Sequence, residues 1–195
     1  MSRTAVVTRT TKETDIRCEL GLDGTGATEI DTGIGFLDHL LVTLARFARF
    51  DLRLRCKGDL QIDDHHTAED CALALGQALG EALGERRGIE RFGHAYAPLD
   101  EALARAVVDL GGRPWPEVEL GLRRETIGML ATENIGHVLR SLAIAGRMAL
   151  HVTLLAGEND HHRAEAAFKA TGLALRAAVR SDGSAAIAST KGVLV

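Results

Sequence analysis

Asp64-His65-His66-Thr67-Ala68-Glu69 returns as Asp160-His161-His162-Arg163-Ala164-Glu165, 96 positions later. A lone histidine precedes each copy: His39 lies 26 residues before His65, and His137 lies 24 before His161. The likeness continues downstream, where eight of the 15 positions from His65 to Leu79 equal their partners from His161 to Leu175. Upstream, His39–Ala45 parallels His137–Ala143, and a weaker echo pairs Glu13…Gly24 with Glu101…Gly112. Solenoid units repeat every ~20–50 residues, so this period is too long for one. It describes two copies of a small α/β unit in one chain, residues 1–92 and 93–195.

The apolar patterning gives each copy the same order of elements. Residues 3–9 and 15–22 alternate as strands around the turn Leu22-Asp23-Gly24-Thr25-Gly26. Leu37, Leu40, Leu41 and Leu44 recur at helical spacing, which predicts a helix over 36–49. A strand follows at 52–56, and the His-His motif then opens a helix ending near Gly84. The second copy predicts strands at 103–110 and 117–122, a helix at 132–146, a strand at 148–155 and a helix at 161–180. Residues 181–195 read as a Gly/Ser-rich tail. The sum is an α+β fold, each half a small sheet packed on helices.

The motif carries chemistry because of where a helix puts its side chains. Glu69 follows His65 by four residues and His66 by three, so it neighbours both. His65 and His66 diverge by about 100° around the axis and aim at different points. Each His-His pair is therefore expected to split between two ions, each ion drawing on both copies of the motif. Six imidazoles and two carboxylates supply four protein ligands per ion and leave open positions for substrate or water. Nitrogen donors with one carboxylate suit Mn, Fe, Co, Ni or Zn, and six-coordination favours Mn or Fe. A single His-His-x-x-Glu would be a surface feature; two copies in register inside a duplication point to metal. His94 and His151 have no partner in the scheme and are read as structural or incidental.

The bulk numbers exclude other classes. A net charge of −4 offers no basic surface for nucleic acid. No apolar run reaches the roughly 18 residues a membrane span needs, and Met1-Ser2-Arg3-Thr4 does not begin a signal peptide. Cys18, Cys56 and Cys71 are scattered and odd in number, which suggests a reducing cytoplasm and argues against a cysteine-based zinc site.

Further segments carry a resemblance: Arg9–Thr14, Gly33–His39, Asp63–Asp70, Arg91-Phe92-Gly93, Pro98–Ala102, Asp109–Pro114, Asn159–Lys169 and Ser189-Thr190-Lys191-Gly192. Together with the duplicated motif, they resemble the imidazoleglycerol-phosphate dehydratases of histidine biosynthesis over nearly the whole chain. The resemblance implies two similar α/β halves, a 24-subunit homo-oligomer, and two Mn(2+) per active site at subunit interfaces. It implies metal ligation by His39, His65, His66, Glu69, His137, His161, His162 and Glu165. Some bacterial relatives carry a fused N-terminal phosphatase; this chain starts at the dehydratase, so that activity is expected to be absent. Departures from the family pattern, around Gly128–Asn134 and in the Ala-rich helix after Lys169, touch no ligand.

The implied reaction is a hydro-lyase step on a phosphorylated imidazole: imidazoleglycerol phosphate loses water to give imidazole acetol phosphate. An imidazole held through both nitrogens by two ions can ionise to imidazolate, and the electron-rich ring then expels the neighbouring hydroxyl. The resemblance assigns proton transfer to Glu13, with Glu165 also catalytic. It assigns substrate contacts to Glu13, His39, His65, Arg91, Arg113, His161, Lys169, Ser189, Thr190 and Lys191. Two rivals share the metal motif: a binuclear metallohydrolase, which would release phosphate from phosphoesters, and a metal-storage protein, which would lack an ordered phosphate pocket.

Overall fold

The computed structural model describes residues 3–194. Met1, Ser2 and Val195, the ends of the two expected half-repeats, lie outside them. The first half runs β1 (Thr4–Thr10), β2 (Thr14–Gly21), β3 (Thr28–Asp31), α1 (Gly35–Ala48), β4 (Asp51–Gly58) and α2 (His65–Leu83). The second runs β5 (Phe92–Leu99), β6 (Ala102–Asp109), β7 (Trp115–Glu119), a short hairpin of β8 (Thr126–Ile127) and β9 (Leu130–Ala131), α3 (Thr132–Ala145), β10 (Ala149–Ala156) and α4 (Asp160–Ala178).

The two main sheets have one topology, β1-β2-β4-β3 and β5-β6-β10-β7. In each, the last pair is parallel and the others antiparallel. A parallel pair needs a crossover, which α1 and α3 supply. The α+β fold is thus a duplication, with the β8–β9 hairpin inserted only in the second copy.

Five strands differ from the sequence expectation. β3, β5 and the hairpin strands β8 and β9 were not foreseen, and the strand expected at 117–122 is β7, Trp115–Glu119, with Leu120, Gly121 and Leu122 beyond its end. In the two main sheets β3, β5 and β7 are edge strands. An edge needs only half its backbone groups paired, so it tolerates Pro98 in β5 and Pro116 in β7, residues that read as breaks.

Alternation builds the core. Ile16, Cys18 and Leu20 of β2 face inward, as do Ala102, Ala104, Ala106 and Val108 of β6. α2 covers the first sheet through β1 and β2, and α4 covers the second through β5 and β6. Helix contacts join the halves crosswise, α1 on α4 and α2 on α3. Two glycines 96 positions apart permit these crossings. A Cβ on Gly76 would lie 2.7 Å from the Leu142 carbonyl of α3, and one on Gly172 would lie 2.5 Å from the Leu44 carbonyl of α1. The crosswise pairing carries His39 of α1 to the motif of α4, and His137 of α3 to the motif of α2.

Candidate metal and substrate site

The two motif helices start alike. Asp63 accepts from the His65 N–H and Asn159 from the His161 N–H, each at 2.9 Å, satisfying first-turn donors. Asp64 accepts from Ala131 N–H at 2.7 Å, while Asp160 accepts from Arg123 and Arg124 N–H at 2.7 Å each. The motif aspartates therefore pin each helix start to the segment before α3. With both helix ends held, the first histidine and the glutamate of each motif share a face one turn apart.

Two clusters result, each with donor atoms all within 4.8 Å of one another: His65, Glu69 and His137, and His39, His161 and Glu165. In the first, His137 Nε2 lies 3.0 Å and His65 Nε2 3.9 Å from the Glu69 carboxylate. The His65 and His137 rings stack with centroids 5.0 Å apart, and His65 Nδ1 is 2.9 Å from Asn134 Oδ1. In the second, His39 Nε2 lies 2.9 Å and His161 Nε2 3.3 Å from Glu165 Oε2. Phe36, which precedes His39 as Asn134 precedes His137, packs its ring 5.0 Å from that of His161. Lys169 Nζ sits 2.9 Å from Glu165 Oε1. Burial raises the Glu165 carboxyl, but Lys169 and His39 outweigh it through hydrogen bonds and charge and hold it at about 2. Each cluster joins the first histidine and the glutamate of one motif to the lone histidine of the other half, rather than drawing on both copies of the motif. Two imidazoles and a carboxylate form a donor set that fits a divalent ion of mixed N/O preference.

The second histidine of each pair points elsewhere. The rings of His65 and His66 are 6.1 Å apart and edge-on, as are those of His161 and His162. His66 Nδ1 lies 3.0 Å from Asp59 Oδ2, and its Nε2 lies 3.7 Å from Glu13 Oε1. His162 Nδ1 lies 2.8 Å from Glu101 Oε2, and its Nε2 lies 3.8 Å from Asp100 Oδ2. One chain therefore brings together three donors per cluster rather than four.

The remaining predicted residues gather at a third place. A cavity of about 540 Å³ is lined by Arg91, Gly111, Arg113, Ser189, Thr190 and Lys191, among others. Arg91 is fixed there by Asp109 at 2.7 Å and by the Ala188 carbonyl at 2.6 Å. The tail 181–194 is anchored too: Gly88 N–H donates to Ala186, and Ile89 bridges to Ser181. Among the described residues, no hydrogen bond or ion pair links this cavity to either cluster. Sequence reasoning missed Asp59, Asn134, Asp100 and Glu101 as neighbours of the histidines. The Glu13…Glu101 echo was the available signal for Glu101; Asp59 had none.

With this geometry in view, comparison with known proteins is decisive. A family profile described as imidazoleglycerol-phosphate dehydratase matches residues 32–175. The chain belongs to the imidazoleglycerol-phosphate dehydratase family. An imidazoleglycerol-phosphate dehydratase of Candida glabrata is 52% identical, covering 97% of this chain and 99% of that protein. One from Phytophthora nicotianae is 57% identical over 98% of this chain, which spans only 42% of that longer protein. Among solved structures, the Pyrococcus furiosus dehydratase in complex with (S)-C348 superposes with a TM-score of 0.83 at 39% identity, covering 96% of this chain and all of that one. The Staphylococcus aureus dehydratase gives the same TM-score at 34% identity, with 91% and 99% covered. The duplicated α+β fold is the fold of these dehydratases.

Proposed function

We propose that this chain is a metal-dependent hydro-lyase that removes water from D-erythro-imidazoleglycerol phosphate to give imidazole acetol phosphate, with two Mn(2+) per active site. The observation that carries the proposal is the pair of His-His-Glu clusters matched across the duplication. Bound ions supply Lewis acidity, which lets an imidazole give up its N–H proton near neutral pH.

The rest falls to the chain's own residues. Arg91, Arg113, Ser189, Thr190 and Lys191 present charged and neutral donors to a phosphate in the cavity they line. His39, His65 and His161, which meet the two motif glutamates, are the proposed contacts of the substrate ring. Lys169 keeps Glu165 ionised and oriented. Glu13 takes the C–H proton of the substrate side chain: its carboxylate is half exposed and accepts no hydrogen bond among the described residues. Loss of that proton and of the neighbouring hydroxyl leaves an enol, which becomes the ketone.

His66 and His162 are the ligands a single chain leaves over, so the proposed site completes itself between copies, in a homo-oligomer of 24 subunits. The outer face of the second sheet supports self-association. It exposes Phe92, Tyr96, Val107 and Trp115, whereas the matching face of the first sheet carries ion pairs such as Arg17–Glu19 and Arg55–Glu29. No helix of the described residues is long and apolar enough to cross a membrane, and the three cysteines are free, which suits a reducing cytoplasm.

The test is to give Mn-loaded protein its phosphorylated imidazole and follow the products by NMR. Ketone formation that needs Mn and fails in His66→Ala and Glu165→Ala, together with lowered metal content, is the expected result. Inorganic phosphate released in place of the ketone would identify a phosphohydrolase and overturn the proposal.

A further inference from the structure

Glu13 and Glu101 occupy one position in the duplicated fold. Glu13 immediately precedes β2, and Glu101 immediately precedes β6. Both carboxylates lie beside the second histidine of their half, yet they are used differently. Glu101 is fully engaged: Oε1 accepts from Glu158 N–H at 3.1 Å and Asn159 N–H at 2.8 Å, and Oε2 meets His162 Nδ1 at 2.8 Å. Glu13 approaches its histidine from the other side, 3.7 Å from Nε2, and its carboxylate accepts no hydrogen bond among the described residues. In the first half the Nδ1 contact comes instead from Asp59, at 3.0 Å, just after β4. The residue that follows β10 as Asp59 follows β4 is Gly157, which has no side chain to make that contact.

We infer that Asp59 and Glu101 are positioning residues that hold the Nδ1 atoms of His66 and His162 protonated, so that Nε2 is the free donor, and that Asp59 took this duty over in the first half and so left Glu13 unbound. The inference rests on the metal and Glu13 roles proposed above. Its physical basis is simple. A neutral imidazole carries one proton, and a carboxylate on one nitrogen fixes the proton there and turns the other lone pair outward. Without an acceptor at Nδ1 the proton is free to sit on Nε2, which then cannot ligate. The two halves meet the same need by different residues: Asp59 faces Nδ1 in the first and Glu101 in the second, which leaves Glu13 outside that contact.

Asp59 is the clean place to test this, since its side chain contacts His66 alone among the hydrogen-bonding groups described, whereas Glu101 also holds the backbone before α4. Solid-state 15N spectra of histidine-labelled, chelator-treated full-length protein at pH 8 read the ring tautomer, with the His66 signal assigned by its loss in His66→Gln. In the unaltered protein His66 should carry its proton on Nδ1. Asp59→Ala should shift it toward Nε2, and Asp59→Asn, which keeps an acceptor oxygen, should restore part of the Nδ1 form. Titration with Mn alone should show affinity falling ~10- to 100-fold in Asp59→Ala, but staying within a few-fold in Glu13→Gln. An unchanged tautomer in Asp59→Ala, or equal loss of Mn affinity in Glu13→Gln, would overturn the assignment while leaving the metal reading intact. If the unaltered protein takes up no Mn, the metal reading fails, and the tautomer spectra still decide whether Asp59 positions His66.

Discussion

Glu165 and Glu101 make the pH response of the metal-free chain predictable. Each is held at about 2, against an ordinary value of 4.5: Glu165 by Lys169 and His39 acting against its burial, Glu101 by the Asn159 N–H, His162 and the Glu158 N–H. A carboxyl depressed on folding adds stability that is complete above 4.5 and vanishes as pH falls toward 2. His66 and His162 work in the opposite sense. Hydrogen bonds that they donate to Asp59 and Glu101 raise them above 6.5, so their contribution is complete below 6.5 and lost as pH rises through the folded values. Calorimetry in chelator should therefore find the highest melting temperature between pH 4.5 and 6.5, and Glu165→Gln should reduce the acid-side loss. A maximum above pH 8 would contradict this assignment of charge. The cavity residues answer to a different measurement. On the proposed function Arg113→Ala and Lys191→Ala each remove a donor to a dianion, worth about 1.5–3 kcal/mol. Binding of the phosphorylated substrate should weaken roughly 10- to 150-fold at ~1.4 kcal/mol per decade, with metal content unchanged. Equal weakening for an analogue without phosphate would assign the two residues to the fold instead.

Helix crossings decide which histidines meet, and glycine decides how closely the helices cross. Gly76 and Gly172 face carbonyls of the partner helix at distances no Cβ tolerates, and Gly172 also approaches the Ala48 nitrogen. Gly76→Ala and Gly172→Ala should each destabilise the chain by about 1–3 kcal/mol, the usual cost of overpacking. Gly80 is the internal control on α2, because its nearest foreign atom would lie 4.0 Å from an added Cβ. There the same change reduces only the freedom of the unfolded chain, so Gly80→Ala should stabilise by about 0.4–1 kcal/mol. Urea unfolding of the three variants tests the signs together. A loss in Gly80→Ala as large as in Gly76→Ala would mean that helix propensity and crossing distance had been assigned wrongly.

For the molecule as a whole, the proposed function would make assembly and metal binding a single equilibrium, because one chain brings three donors to each cluster. If the fourth ligand comes from another copy, Mn binds the assembled form and shifts mass toward it. Sedimentation should show a much smaller species after chelation and the large particle after Mn is returned. A constant mass in demonstrably metal-free protein would remove the shared-ligand arrangement. Protons oppose the metal, because ligating imidazoles must be neutral. The acid limb of activity should therefore be steep and move to lower pH as Mn is raised. An acid limb indifferent to Mn would assign the titration to a carboxylate such as Glu13.

The period of 96 residues was legible without coordinates, and with it the α+β class, the order of most elements and the residues that could bind metal. Repetition in sequence implies repetition in fold, and helical spacing alone sets His65 over Glu69 and His161 over Glu165. The edge strands β3, β5 and β7 were harder to read, since an edge accepts proline and short runs that a central strand refuses. Which histidines meet lay beyond the sequence. His39 pairs with the distant motif because α1 crosses α4, a consequence of core packing that no local pattern encodes. The unlike fates of Glu13 and Glu101 depend likewise on where a turn 46 residues further on sets Asp59 beside His66, and on the Gly157 that stands in its place in the other half. Local chemistry is written along the chain, whereas the partner of each side chain is chosen by the packing of segments far apart in it.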